Sequence, residues 1–173
     1  MSASLHAATV PAFIAMLSNI KQWLDQAASE GNEADLIKAS LTEDMLPLAR
    51  QIQIASDAAK GAAARLTGTD APAMADEETT FAELKARCDK TIAYLQTIDP
   101  AAYDAGAGRE VVITFPNGGG VKFDGHTFLT GFALPNFYFH ATTTYAILRA
   151  RGVKLGKQNF LAHLAPYMFA PPA

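Results

Sequence analysis

Between Val10 and Glu30 the residues Phe13, Met16, Leu17, Ile20, Trp23, Leu24 and Ala27 recur at helical spacing and form one apolar stripe. A stripe of this length cannot face water, so further helices must cover it. Thr9 and Pro11 mark its expected start, because a first-turn proline forfeits no needed N–H, and Gly31-Asn32 marks its stop. A second long helix is expected from Thr42 to Leu66. Thr42-Glu43-Asp44 lies at its start, Leu48, Gln51, Ile52, Ala55, Ala59 and Ala62 share one face, and Gly68 ends it. Residues 33–40 allow a short extra helix. Residues 69–78 have no periodicity and read as a surface loop. A third helix is expected over Thr80–Ile98, opened by the capping box Thr80-Phe81-Ala82-Glu83 and carrying Phe81, Leu84, Cys88, Ile92 and Leu95 inward.

The pattern changes once. After a connector over residues 99–108, Val111, Ile113 and Phe115 alternate with Val112, Thr114 and Pro116. Asn117-Gly118-Gly119-Gly120 supplies a turn, and Val121-Lys122-Phe123 alternates again. This predicts one short β-hairpin, which must pack on the helices because an isolated hairpin is marginal. A fourth long helix follows, from Gly125 or Thr127 to Arg151, kinked at Pro135. A short helix is expected over residues 159–164, and Pro171-Pro172-Ala173 cannot continue it. The 34 alanines favour helix. The expectation is an all-α four-helix bundle with a short β-hairpin before the last long helix, formed as a single domain over residues 1–173.

The chain is 50% apolar and carries a net charge of −3. No strongly basic stretch provides a footprint for nucleic acid or an anionic membrane. One cysteine excludes an intramolecular disulfide or a multi-cysteine metal site. Met1 to His6 lack the pattern of a signal peptide, and the apolar stretch from Phe128 to Phe139 is too short to span a bilayer. A cytoplasmic location is the default expectation.

Candidate chemistry is sparse. Asn136 and His140 lie four apart on the fourth helix beside the stripe of Phe132, Thr143 and Ile147. Helices present metal ligands at this spacing, but a buried polar pair satisfying its own hydrogen bonds is the favoured explanation. Gln51 lies on the apolar face of the second helix, as either a structural hydrogen-bonding group or the wall of a polar cavity. His126 follows the hairpin and is the remaining histidine placed to line a pocket. The glycine run lacks the lysine and helix context of a phosphate loop. Cys88 reads as a buried apolar residue.

Three stretches carry a resemblance: Leu134-Pro135-Asn136-Phe137-Tyr138-Phe139-His140 with its continuation to Arg149, Leu46-Pro47-Leu48-Ala49-Arg50-Gln51-Ile52-Gln53, and Gly152-Val153-Lys154-Leu155-Gly156-Lys157. Together they resemble an uncharacterised bacterial domain-of-unknown-function family, a branch of the DinB-like, YfiT-type superfamily, over nearly the whole chain. The resemblance implies a four-helix bundle with up-down-down-up order, often dimeric. Many members hold a divalent metal, zinc or nickel, on three histidines at one end of the bundle. Some are thiol transferases acting with bacillithiol or mycothiol. Matched position by position, the three histidines fall on Gln51, Asn136 and His140, so two neutral amides replace two imidazoles. The expectation is therefore a degenerate pocket lined by Gln51, Asn136, His140 and His126, with no metal bound. If a metal is present, Gln51, Asn136 and His140 are its ligands. The leading reading is a homodimeric protein that binds a small molecule or acts in an interaction, with neither nucleic acid nor membrane as partner. The alternatives are a metal-dependent hydrolase or thiol transferase using the same three residues, and a purely structural role.

Overall fold

A computed structural model describes residues 4–115 and 117–169. The Pro171-Pro172-Ala173 stop and Pro116 of the hairpin lie outside them. Four long helices form the frame: α1 (Leu5–Glu30), α2 (Leu48–Thr67), α3 (Phe81–Gln96) and α4 (Leu134–Ala150). One core joins them, with Phe13, Ile20, Trp23, Ile52, Leu66, Leu84, Phe137 and Ile147 essentially sealed from solvent. The hairpin β1 (Glu110–Thr114) and β2 (Gly120–Asp124) precedes α4, as the period-two segment predicted.

The helix directions follow from paired residues. Lys21 meets Asp89 and Asp25 meets Lys85, so α1 and α3 run antiparallel. Phe13 packs on Phe137 and Trp23 on Tyr145, so α1 and α4 run parallel. Gln51 meets His140 at one end while Arg65 lies over Phe128, just before α4, at the other, so α2 opposes α4. The order is up-down-down-up. α2 and α3 are therefore parallel neighbours, and the segment between them must return along the full length of α2. α2 has 20 residues and is roughly 30 Å long. Residues 68–80 can span up to about 45 Å when extended. They run back along the helix as a strap, with Lys60 donating to the Pro72 carbonyl, Arg50 to Asp76 and Gln53 to Glu78. The turn into the strap uses Gly68 at φ 73°, a left-handed conformation suited to glycine.

Several boundaries differ from the sequence expectation. α1 starts at Leu5 and passes through Pro11. Its first turn is held by the Ser4 hydroxyl on Ala7 N, by Asp104 on His6 N, and by a Thr9–Tyr103 hydrogen bond. Two of these partners come from the region expected to be a plain connector, which instead forms a short helix, Pro100–Ala105, capped by Asp99. Residues 41–46 form turns, so α2 begins after Pro47 rather than at Thr42. The capping box at Thr80–Glu83 forms as expected. Ahead of α4 the helix Gly125–Phe128 passes through a π turn over Leu129–Ala133. Pro135 follows that wider turn directly, at the first turn of α4.

Candidate functional site

The start of α2 and the first half of α4 meet at one end of the bundle. His140 Nδ1 lies 2.7 Å from Gln51 Oε1, and Gln51 Nε2 donates to the Leu46 carbonyl at 2.9 Å. Both side chains are buried, Gln51 more completely. The second bond sets the first: with the amide nitrogen on a carbonyl, the amide oxygen faces the ring and accepts. Nδ1 therefore carries the proton, and Nε2 is left with a lone pair. Among the described residues Nε2 has no hydrogen-bond partner, nor is it fully sealed. Burial holds the His140 pKa below its ordinary value, which favours the neutral ring. Thr144 Oγ1 donates to the His140 carbonyl at 2.9 Å and ties the turn beneath.

Asn136 lies one helical turn before His140 and is half-buried, with no side-chain hydrogen bond among the described residues. His126 is exposed on the short helix after the hairpin. Its ring bonds to neither Gln51, Asn136 nor His140, and only its carbonyl is engaged, by Thr130. The hairpin packs its Phe123 on Phe128 and Phe132, and this carries His126 out to solvent.

The resemblance implies a divalent metal, and the residues present do not fit one well. Gln51 commits its oxygen to the ring N–H and its nitrogen to Leu46, so it acts as the group that orients His140. One imidazole and neutral amide oxygens make a poor donor set for zinc or nickel. No group of three His, Cys, Asp or Glu side chains suited to a metal occurs among the described residues. Two acids able to supplement the donors are engaged elsewhere: Asp57 with Arg87 and Lys60, and Asp44 with Thr42.

The sequence reading missed two features. One is the Leu46 carbonyl, a backbone group with no side-chain signature. The other is Arg87, a nearly sealed guanidinium that pairs with Asp57 at 2.7 Å, Glu78 at 2.9 Å and Asp76 at 3.0 Å, and donates to the Ala75 carbonyl. It fastens the strap to α2 and α3. Burial is the largest single influence and works to raise the Glu78 carboxyl, but hydrogen bonds from Arg87, the backbone and Gln53, with the Arg87 charge, together hold the group below its usual range. The signal was present: Leu84, Arg87 and Thr91 are spaced three and four apart, which places Arg87 on the inward face. Cys88 is buried beside it and its thiol is pushed up to about 12, chiefly by burial, which makes it inert.

An up-down-down-up bundle with an inserted hairpin and a polar site at one end is the DinB type of four-helix bundle. The chain belongs to the family described as Domain of unknown function (DUF1993), whose model matches residues 5–161. It is similar to the crystal structure of a DinB family member protein from Shewanella denitrificans, with 37% sequence identity, a TM-score of 0.85 and coverage of 96% of each chain. No curated protein matches the chain. No helix among the described residues is long and apolar enough to cross a membrane.

Proposed function

We propose that this DinB-like protein binds a small neutral molecule at the end of the bundle, through His140 Nε2 and the Asn136 amide, without a catalytic metal. The observation that carries the reading is the double engagement of Gln51. A position that the resemblance assigns to a metal ligand instead fixes the His140 tautomer and presents a single hydrogen-bond acceptor. A ligand carrying an O–H or N–H donor complements it, and the uncharged surroundings favour a neutral molecule. His126, exposed on the short helix after the hairpin, is the remaining residue of the proposed lining. A homodimer in the bacterial cytoplasm, engaging neither nucleic acid nor membrane, completes the proposal. The net charge of −3 supports the exclusion of polyanions.

The rival reading is a metal-dependent hydrolase or thiol transferase using Gln51, Asn136 and His140. It is favoured only by the free Nε2 lone pair, and it requires the Gln51 oxygen to turn from the His140 ring N–H to the metal. One experiment separates the two. Protein purified without a nickel column is dialysed and its metal content measured. The His140 ring nitrogens are then followed by NMR against a panel of neutral hydroxyl and amide compounds. The expected result is substoichiometric metal and a compound-dependent shift at Nε2 that weakens in Asn136→Ala. Stoichiometric zinc or nickel that vanishes in His140→Ala would establish the rival.

A further inference from the structure

The chain has five asparagines, Asn19, Asn32, Asn117, Asn136 and Asn159, and only Asn117 is followed by glycine. Asn19, Asn136 and Asn159 lie in helices and precede the bulky Ile20, Phe137 and Phe160. Asn32 caps the short helix Glu33–Leu36, where Ala34 N and the Asp35 carboxylate hold its side chain. Asn117 stands apart. It is exposed in the hairpin turn, and the exposed Gly118, Gly119 and Gly120 follow it. With no side chain at the next residue, the Gly118 nitrogen can swing toward the Asn117 amide carbon unobstructed.

The turn prepares that approach. Gly119 N–H donates to Asn117 Oδ1 at 3.0 Å, which polarises Cγ and is placed to stabilise negative charge developing on the oxygen. Asn117 Nδ2 has no hydrogen-bond partner among the described residues. Gly118 N–H donates to the Phe115 carbonyl at 2.9 Å, and this one bond must open before the nitrogen attacks. Gly118 sits at φ 83°, and nothing lies within 4 Å of where its Cβ would be, so it has room to rotate. We infer that Asn117 is a site of spontaneous modification, at which the chain converts its own side-chain amide to a carboxylate. The Gly118 nitrogen gives its proton to hydroxide and bonds to Asn117 Cγ. The Cγ–Nδ2 bond breaks, and Nδ2 leaves as ammonia with a proton taken from water. Water then opens the cyclic imide. Opening at Cγ gives aspartate. Opening at the Asn117 main-chain carbonyl gives an isoaspartyl linkage, in which the backbone runs through the former side chain. Nothing is oxidised or reduced, and water is the only co-reactant.

Either product adds one negative charge at the hairpin tip, and the isoaspartyl form lengthens the main chain there by one carbon. The hydrogen bond from Phe115 N to the Gly119 carbonyl, which closes the hairpin, then spans a longer turn. The sequence offers the same ring closure at Asp124-Gly125, with water as leaving group, and there the fold opposes it. Thr127 holds both Asp124 oxygens, and Gly125 is buried against the Gly106 carbonyl. The inference stands independently of what the polar site binds.

The full chain, incubated in heavy-oxygen water at neutral and mildly alkaline pH, tests it by ion exchange and peptide mapping. An acidic form should accumulate, faster at the higher pH, with heavy oxygen and isoaspartate both confined to position 117. Asn117→Gln, whose imide would be a larger and slower-forming ring, should lose the acidic form. In urea the unfolded chain should modify Asn117 at a comparable rate and should also acquire isoaspartate at Asp124. A native chain that keeps Asn117 intact while the unfolded chain is modified overturns the inference. So does an acidic form that persists in Asn117→Gln, and so does native modification that begins at another asparagine or at Asp124.

Discussion

His140 and Gln51 are 89 positions apart in the chain, yet their side chains meet at 2.7 Å inside the bundle. Removing either strands a buried group on the other. Gln51→Ala leaves both Nδ1–H and the Leu46 carbonyl without partners, and should cost about 1–3 kcal/mol in urea unfolding. Gln51→Glu keeps the shape and places a carboxylate against the ring. The His140 pKa should then rise, measured by NMR titration of the ring protons.

Stability should also depend on pH through His140. Its pKa in the folded protein lies below the ordinary 6.5 because the ring is buried. Between the two values the unfolded chain binds a proton that the folded protein refuses. This contribution is therefore fully present above about 6.5 and is lost as the pH falls through the window to the folded pKa. Urea midpoints measured from pH 7.5 downward should decline across that window, and His140→Phe should flatten the decline. The lowered carboxylates Asp76, Glu78 and Asp124 titrate at more acidic pH and do not obscure it.

Arg87→Met removes the cation that three acids share. Breaking a buried ion pair typically costs about 3–5 kcal/mol. Here Asp57 and Asp76 are more than a third exposed, so water offsets part of the loss and roughly 2–4 kcal/mol is expected. Proteolysis should shift to residues 69–79, because the strap loses its main fastening. Arg87→Lys should recover only part of the stability, since one ammonium cannot reach Asp57, Glu78 and the Ala75 carbonyl together.

Gly106→Ala should be among the most damaging small substitutions. A Cβ there would lie 2.0 Å from the Leu66 carbonyl oxygen, which is backbone at the end of α2 and cannot rotate away. The hairpin and its short helix would have to lift from α2. Thermal unfolding should show a loss of about 1–3 kcal/mol or more, whereas Gly108→Ala, which meets nothing, should be neutral apart from its backbone preference.

The parts of the fold written in local periodicity were legible. The α1 stripe, the Thr80–Glu83 capping box, Gly68 as a stop and the single period-two segment all correspond to observed elements. The start of α1 was placed too late: Ser4 is a local cap that the reading passed over for Thr9 and Pro11, and the Asp104 and Tyr103 contacts that also hold the first turn come from distant residues with no local signature. Turns over residues 41–46 displaced the start of α2. At the site, helical spacing identified Gln51 and His140 as inward-facing. It could not show that Gln51 would be spent on Leu46 and the ring, since that depends on a backbone carbonyl. His126 is exposed on the short helix after the hairpin, and its ring bonds to neither Gln51 nor His140.

The strap between α2 and α3 bears on how the chain reaches this structure. In an up-and-down bundle each helix pairs with the next through a tight loop, and a two-helix unit can form early at little entropic cost. Here α1 packs on α3 and α4, α2 packs on α4, and the one neighbouring pair that is consecutive runs parallel through a long return. α1 and α2 touch only weakly, so no consecutive pair of long helices forms a closely packed local hairpin. The chain must bring distant segments together before any pair of helices is rewarded, so its contact order is high for an all-helical protein and its folding should be correspondingly slow.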